Sequence, residues 1–134
     1  MKKILILLLL LSTCLCQTVF AQDPDTGWWW NADEPGRGYT IEKQSDKIFF
    51  AAYLYDDSGN PVWYTAVLTV DADDNFIGNL QQFAGGQTLT GAFKPANVLN
   101  ENAGQIILNF SDDFTGTLIW PGGTVPITRF IFAE

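Results

Sequence analysis

Residues 47–70 read KIFFAAYLYDDSGNPVWYTAVLTV, and this stretch decides the fold class. Its side chains alternate with period two on both sides of DDSGN, a pentapeptide of turn-forming residues. Because successive side chains of a strand point to opposite faces, the alternation predicts two strands, Lys47–Tyr55 and Val62–Val70, joined by a hairpin loop. Pro61 fits the start of the second strand, where its missing N–H lies outside the hydrogen-bond ladder. Both faces of these strands carry aromatic residues, so the outer face is predicted to be partly covered or used.

The remainder of the chain after residue 26 repeats this design. Short alternating segments are separated by Gly, Asn, Asp and Pro, and no long segment has apolar residues at helical spacing. The pattern therefore indicates an all-β protein. The further predicted strands are Tyr39–Gln44, Phe76–Ala84, Leu89–Phe93, Gln105–Phe110, Phe114–Trp120 and Thr124–Phe132. Residues 97–104 are predicted to form a loop or a helical turn.

With residues 28–30, these segments make about eight or nine strands, most of them joined by loops of hairpin length. Strands connected this closely pair with their sequence neighbours in antiparallel fashion. We predict an antiparallel meander closed into a small up-and-down barrel, which also removes exposed sheet edges. A two-sheet β-sandwich is the alternative. Residues 22–134 are predicted to form this single domain, which is long enough to bury a core.

The first residues have the pattern of an export signal. Lys2 and Lys3 form a basic start, Ile4–Leu11 is an unbroken apolar segment, and residues 19–21 (VFA) fit a signal peptidase site. Residues 1–21 are therefore predicted to be a signal peptide, and the mature protein is predicted to be secreted or periplasmic. The apolar segment is too short to cross a bilayer as a helix, so no membrane span is predicted. Processing as a lipoprotein anchored at Cys14 is the alternative.

The composition excludes several kinds of chemistry. Both cysteines, Cys14 and Cys16, lie in the predicted signal peptide, and the chain has no His. The mature protein therefore lacks the groups of the usual nucleophilic triads and of transition-metal sites, and no cofactor is predicted. Without Lys2 and Lys3, five of the seven basic residues remain against fifteen acidic ones, a net charge of −10. This charge disfavours nucleic acid and anionic membranes as partners, because both require basic surfaces.

The acidic residues do not form a recognisable catalytic or metal-binding pattern. Asp33, Glu34 and Glu42 are candidates for a carboxylate pair by composition only, so no enzymatic activity and no catalytic residue are predicted. Residues 71–75 (DADDN) match the first three ligand positions of a calcium loop, but the required Gly and the closing Glu do not follow. This segment is therefore predicted to be a hairpin turn, and no metal site is predicted.

Residues 27–42 read GWWWNADEPGRGYTIE and contain the strongest functional signal. If residues 28–30 are extended, Trp28 and Trp30 share one face and Trp29 takes the other. Exposed aromatic rings on an exported protein mark a contact site, whereas buried rings would only fill the barrel and cap its ends. The PGRG turn precedes a strand and not a helix, so it is not a phosphate-binding loop, and it projects Arg37 as a polar handle.

From these features we predict an exported, non-enzymatic β-barrel that binds a small ligand, a glycan or an apolar molecule, through an aromatic cluster. Aromatic rings flanked by polar groups suit sugar faces and apolar ligands alike. The alternative is a structural or protein-interaction module of the cell envelope, including a protease-inhibitor type, whose own side chains fill the barrel and whose partner is a protein. The predicted ligand-binding residues are Trp28, Trp30, Arg37, Tyr53 and Trp63.

Two parts of the sequence resemble known families. Gly27, Trp29 and Arg129 are similar to residues of the calycin barrels, such as lipocalins and avidins. This resemblance implies that Trp29 packs near the closing end of the barrel with Arg129 over its ring. The motifs GWWWNxxEPGRGYxIE at 27–42 and YxYDxxGxPxWY at 53–64 resemble a recurring module in secreted proteins of Gram-negative bacteria. That second resemblance implies export and a compact β-fold, and it says nothing about activity.

Overall fold

The computed structural model describes residues 23–133, and the predicted signal peptide, with Cys14 and Cys16, lies outside the described residues. This part of the chain is all-β, and it contains no helix long and apolar enough to cross a membrane. Its strands are β1 (Gly27–Trp30), β2 (Gly38–Gln44), β3 (Lys47–Tyr55), β4 (Pro61–Val70), β5 (Phe76–Asn79), β6 (Gln81–Gly85), β7 (Ala96–Asn100), β8 (Gln105–Asp112), β9 (Thr115–Trp120) and β10 (Gly123–Arg129).

Eight of these strands close into an antiparallel barrel. β1 to β5 pair in sequence order, β5 then pairs with β8, β8 pairs with β9, β9 pairs with β10, and β10 pairs with β1. In the closing pair, Trp29 lies opposite Arg129 and Trp30 lies opposite Thr128. The predicted all-β antiparallel barrel is therefore confirmed, and the β-sandwich alternative is wrong.

The predicted strand Phe76–Ala84 is divided in two at Leu80. The Leu80 side chain is fully buried, while its backbone N–H donates to the Gly104 carbonyl oxygen at 2.9 Å and its carbonyl oxygen accepts from Ala103 at 2.8 Å. The segment before Leu80, β5, pairs with β4 and β8 and completes the barrel, whereas β6 after it pairs with β4 and β7. β6 and β7 therefore form a hairpin that extends the sheet beyond the barrel.

Two sequence-based assignments in this hairpin are wrong. The predicted strand Leu89–Phe93 has no strand partner among the described residues, and it contains turns and a bend. The partner of β6 is Ala96–Asn100, which lies largely in the stretch predicted as a loop or helical turn. Gly85 and Gly86, where the chain leaves β6, have φ values of 70° and 94°, a left-handed conformation that glycine adopts without strain. Since β7 pairs with β6 alone in residues 23–133, the sheet also keeps a free edge that the predicted closed meander would have removed.

A single cluster of buried side chains fills the barrel interior. The alternation predicted for β3 is confirmed, because Ile48 and Phe50 are buried while Phe49 between them is half exposed. Burying an aliphatic or aromatic side chain of this size contributes about 1.5–3 kcal/mol, so this cluster is the main source of stability. The cluster comprises Trp29, Tyr39, Ile41, Ile48, Phe50, Ala52, Ala66, Leu68, Phe76, Leu80, Ile106, Leu108, Phe110, Leu118 and Ile127.

The Arg129 side chain ties the last strand to the first at the closing end of the barrel. Its guanidinium lies so close to Gly27 that a Cβ atom there would be 2.5 Å from Nη2 and would displace it. Its Nε donates to Asp25 Oδ2 at 3.0 Å, and its Nη1 donates to the carbonyl oxygens of Trp28 and Phe130 at 3.1 and 2.6 Å. These contacts fix the position of β1, and therefore of its tryptophans, against the C-terminal strand.

Two acidic hairpin loops, residues 56–60 after β3 and residues 71–75 after β4, share one design. Each begins with Asp and ends with Asn. In each loop the carboxylate of the first Asp accepts the backbone N–H groups of the third and fifth residues, at distances of 2.8 to 3.0 Å. Residues 71–75 therefore form the predicted hairpin turn, and the Asp71 carboxylate is engaged in hydrogen bonds within that turn.

These two loops make the stability of the protein sensitive to acid. Hydrogen bonds, chiefly from the backbone N–H of Asn60 and of Asn75, hold the pKa of Asp56 and the pKa of Asp71 below their ordinary value. Because the folded-state pKa is lowered, the stabilisation is complete above the unfolded-state pKa and is lost as the pH falls through the folded-state pKa. We expect the free energy of unfolding, measured by urea titration, to fall as the pH decreases below about 4.

The matched variant for this prediction is Asp56→Asn/Asp71→Asn. An Asn side chain can still accept the turn hydrogen bonds, but it does not titrate. We expect its free energy of unfolding to depend less on pH than that of the wild type over the same acidic range. Parallel pH profiles for the two proteins would contradict the assignment.

Candidate functional site

β1 sorts the three consecutive tryptophans onto two faces of the barrel wall. Trp29 points inward and is 1% exposed, and its Nε1–H donates to the Asp25 carbonyl oxygen at 3.0 Å. Trp28 and Trp30 point to the other side, and Trp28 is 47% exposed. Positions 28 and 30 therefore share one face, as the alternation predicted, and that face is the outside of the barrel.

A groove of about 280 Å³ lies on this outer face between the tryptophans of β1 and strand β3. Trp28 and Tyr53 meet here with ring centroids 5.5 Å apart. They approach across β2 because the residue opposite Tyr53 on that strand is Gly38, which has no side chain. We call this site the tryptophan groove; its lining residues include Trp28, Trp30, Gly36, Arg37, Gly38, Tyr53 and Phe130.

A second groove, of about 550 Å³, lies directly beside the first. Tyr53 and Trp63 are directly opposite each other in the β3–β4 pair, and the Trp63 ring stacks on Phe83 of β6 at 4.9 Å. Gly36 and Tyr53 line both grooves, so the two grooves are continuous. We call this second site the Trp63 groove; it is lined by Gly36, Tyr53, Leu54, Tyr55, Pro61, Val62 and Trp63.

The loop between β1 and β2 is fixed by its own polar side chains. Asn31 is buried, its Nδ2 donates to Glu34 Oε2 at 3.1 Å, and its Oδ1 accepts the backbone N–H of Asp33 at 3.1 Å. The same Glu34 oxygen forms an ion pair with Arg37. Glu34 therefore connects the start of the loop to its end, and it holds Arg37 beside the aromatic rings. A third groove, of about 460 Å³, lies between this loop and the side chains of Leu54 and Tyr55 and extends the site.

Two buried polar atoms, one on β2 and one just before it, retain hydrogen-bonding capacity. Among residues 23–133, the buried atoms Arg37 Nε and Thr40 Oγ1 have no hydrogen-bond partner within the protein. Burial raises the pKa of the Tyr39 hydroxyl above its usual value, and the positive charge of Arg37 opposes this rise. The tyrosine is therefore neutral at physiological pH, and Arg37 supplies the positive charge at this groove.

The five residues predicted from the sequence lie on one continuous outer surface. Trp28, Trp30, Arg37 and Tyr53 line the tryptophan groove, and Trp63 lines the adjoining groove. We refer to this surface as the aromatic face, defined by these residues together with Tyr55, Phe83 and Phe130.

Three members of the aromatic face, Tyr55, Phe83 and Phe130, were not among the predicted ligand-binding residues. Phe130 packs edge-on against Trp30 with ring centroids 4.9 Å apart. Closure of a barrel requires the last strand to pair with the first, which was the signal that could have placed Phe130 beside β1. Phe83 had no such signal, since its position depends on the break at Leu80.

The acidic residues weighed as a catalytic pair do not come together as one. Glu34 is engaged by Asn31 and Arg37 in the loop. Glu42 lies on β2, where Gln44 donates to its Oε1 at 3.3 Å, and it lines a different groove with Phe49. Residues 23–133 also contain no group of three or more His, Cys, Asp or Glu side chains arranged to hold a metal ion.

Comparison with known proteins finds no relative of this chain. No protein-family model matches the chain, and searches of curated proteins and of solved structures find no match. The calycin and exported-module resemblances therefore stay resemblances. What the site binds has to be inferred from its side chains and their arrangement.

Proposed function

We propose that this protein is an exported, non-enzymatic β-barrel that binds a glycan on its aromatic face. The observation that carries the proposal is the set of half-exposed rings, Trp28, Tyr53 and Trp63, which line two continuous grooves. Leaving rings of this size in water is costly, so a surface that gathers several of them suits a contact site. The leader-like sequence of residues 1–21 supports export of the mature chain.

The filled interior supports a ligand on the outside of the barrel. Side chains such as Phe50, Phe76 and Leu108 occupy the space that a ligand inside the barrel would need. The aromatic face, in contrast, is open to solvent along its length. Binding is therefore proposed at the barrel wall, between β1 and β6, and not at the barrel mouth.

The shape of the grooves favours a glycan over a compact apolar molecule. Apolar ligands are usually enclosed on most of their surface, whereas these grooves cover a ligand from one side only. A pyranose ring has an apolar face for stacking on Trp or Tyr and hydroxyl groups at its rim. Arg37 and Glu34 lie beside the rings and offer a donor and an acceptor for such hydroxyls. The continuity of the grooves suits a chain of several sugars, and the acidic net charge favours a neutral one.

Tryptophan fluorescence of the purified protein tests this proposal. Acrylamide should quench one population of tryptophans, which includes Trp28 and Trp63, and should spare the buried Trp29. Titration with a panel of neutral oligosaccharides should protect the accessible population, whereas a fatty-acid panel should not. If no oligosaccharide alters the quenching or the emission, the glycan proposal is wrong.

A protein-interaction module is the second candidate function. It is favoured by Ile131 and Phe132, which follow β10 and are largely exposed, while Phe132 stacks on Phe130 at 6.1 Å. Such a surface suits a protein partner, which covers rings and aliphatic groups together. Quenching that no ligand alters, together with recovery of a defined protein by the immobilised chain, would place this candidate first.

A further inference from the structure

The free edge of the sheet is the main feature that the proposed glycan site leaves unexplained. β7 pairs with β6 on one side and has no strand partner on the other in the part of the chain described. All five of its residues, Ala96–Asn100, are exposed. Natural proteins usually protect such an edge with charges, bulges or a covering segment, because its unpaired N–H and C=O groups pair readily with another strand. The free edge of β7 carries no charged side chain.

The occupant that fits this edge is a second copy of the same chain. Residues 76–100 contain one charged residue, Lys94, and no acidic residue, although the whole chain has a net charge of −8. All fifteen acidic residues lie outside this segment, so mutual repulsion between two copies is weakest at the nearly neutral β6–β7 hairpin. The charge distribution therefore directs self-association to this hairpin.

We propose that two copies pair antiparallel along β7, with Val98 of each copy opposite Val98 of the other. Directly opposite residues of an antiparallel pair lie on the same face. Val98 is already opposite Phe83 within the hairpin, and Phe83 stacks on Trp63. The pairing therefore covers Val98 with apolar surface, and it continues the aromatic face of one copy into that of the other.

No like charges meet along the paired segment. In this register Lys94 lies directly opposite Asn102 of the second copy, and Glu101 lies directly opposite Pro95. Like charges directly opposite each other would destabilise an antiparallel pair, and this register contains none.

Sedimentation velocity of the protein expressed from its full sequence tests the pairing. We expect a concentration-dependent dimer below about 1 mM protein. The variant Val98→Lys places like charges opposite each other and should raise the dimer dissociation constant at least about tenfold. Its matched control is Val67→Lys, which puts the same charge on an exposed valine of β4 and should leave the dimer unchanged.

Two outcomes overturn the proposal. One is a protein that is monomeric up to about 1 mM, and the other is a dimer that Val98→Lys leaves intact. The dimer does not rest on the proposed glycan binding, so oligosaccharide titration and sedimentation fail independently.

Discussion

Replacing Trp29 with alanine is expected to lower the free energy of unfolding by about 3–5 kcal/mol, the range for removing a large buried aromatic side chain. Trp29 is 1% exposed and packs edge-on against Phe110 with ring centroids 5.3 Å apart. The substitution leaves a cavity at the closing end of the barrel, and it removes the Nε1–H donor of the Asp25 carbonyl oxygen. Urea unfolding followed by far-UV circular dichroism measures the loss.

The neighbouring tryptophan provides the control for this prediction. Trp28→Ala removes a side chain of the same type from the same strand, but from the half-exposed outer face. This substitution should lower the free energy of unfolding by about 1 kcal/mol or less, because no enclosed cavity forms. Since domains of this size are stable by only about 5–15 kcal/mol, Trp29→Phe is the milder companion that keeps the protein folded. If Trp29→Ala lowers the free energy of unfolding no more than Trp28→Ala does, the assignment of Trp29 to the barrel interior is wrong.

The contrast between these neighbouring residues shows what the sequence can predict. Alternation is a local property, so it separates the inward side chains of β3 from the outward ones wherever a strand is regular. It also predicted that Trp29 points to the opposite face from Trp28 and Trp30, because successive side chains of an extended segment alternate between the two faces. Hairpin loops were equally predictable, because the Asp and Asn residues of 56–60 form the turn with their own side chains.

Partner selection between distant segments is not a local property. β6 has two candidate partners in the sequence, Leu89–Phe93 and Ala96–Asn100, and the first has the better alternation. The structure pairs β6 with the second, and a local hydrophobic pattern does not encode such a choice between distant segments. The free edge at β7 and the place of Phe83 in the aromatic face follow from that choice, so neither was accessible from the sequence.

The candidate site, too, was predictable where it depends on local sequence and not where it depends on the whole barrel. The five residues that the sequence singled out were chosen because they are aromatic or because a turn projects them, and the barrel places them on one outer surface. The sequence left open whether that surface faces a cavity or the solvent. The answer depends on how many side chains fit inside an eight-stranded barrel, and in this chain they fill it.

Replacing Trp28 with alanine is expected to raise the dissociation constant for the bound oligosaccharide at least about tenfold, equivalent to about 1.4 kcal/mol. Trp28 forms one wall of the tryptophan groove, and its loss leaves Tyr53 without the ring that lies 5.5 Å from it. Isothermal titration calorimetry is the suitable measurement, because the substitution removes one of the fluorescent reporters.

Phe49→Ala is the matched control for this affinity loss. Phe49 and Trp28 are each 47% exposed, and both point outward from the barrel, but Phe49 lies in a separate groove with Val67 and Glu42. The two substitutions remove aromatic surface of equal accessibility, so any general effect on folding or solubility should be shared. Only a ligand seated on the aromatic face distinguishes them. Equal weakening by both variants would show that the oligosaccharide contacts aromatic surface without selecting this site, whereas a selective loss at Trp28 assigns binding to the groove between β1 and β3.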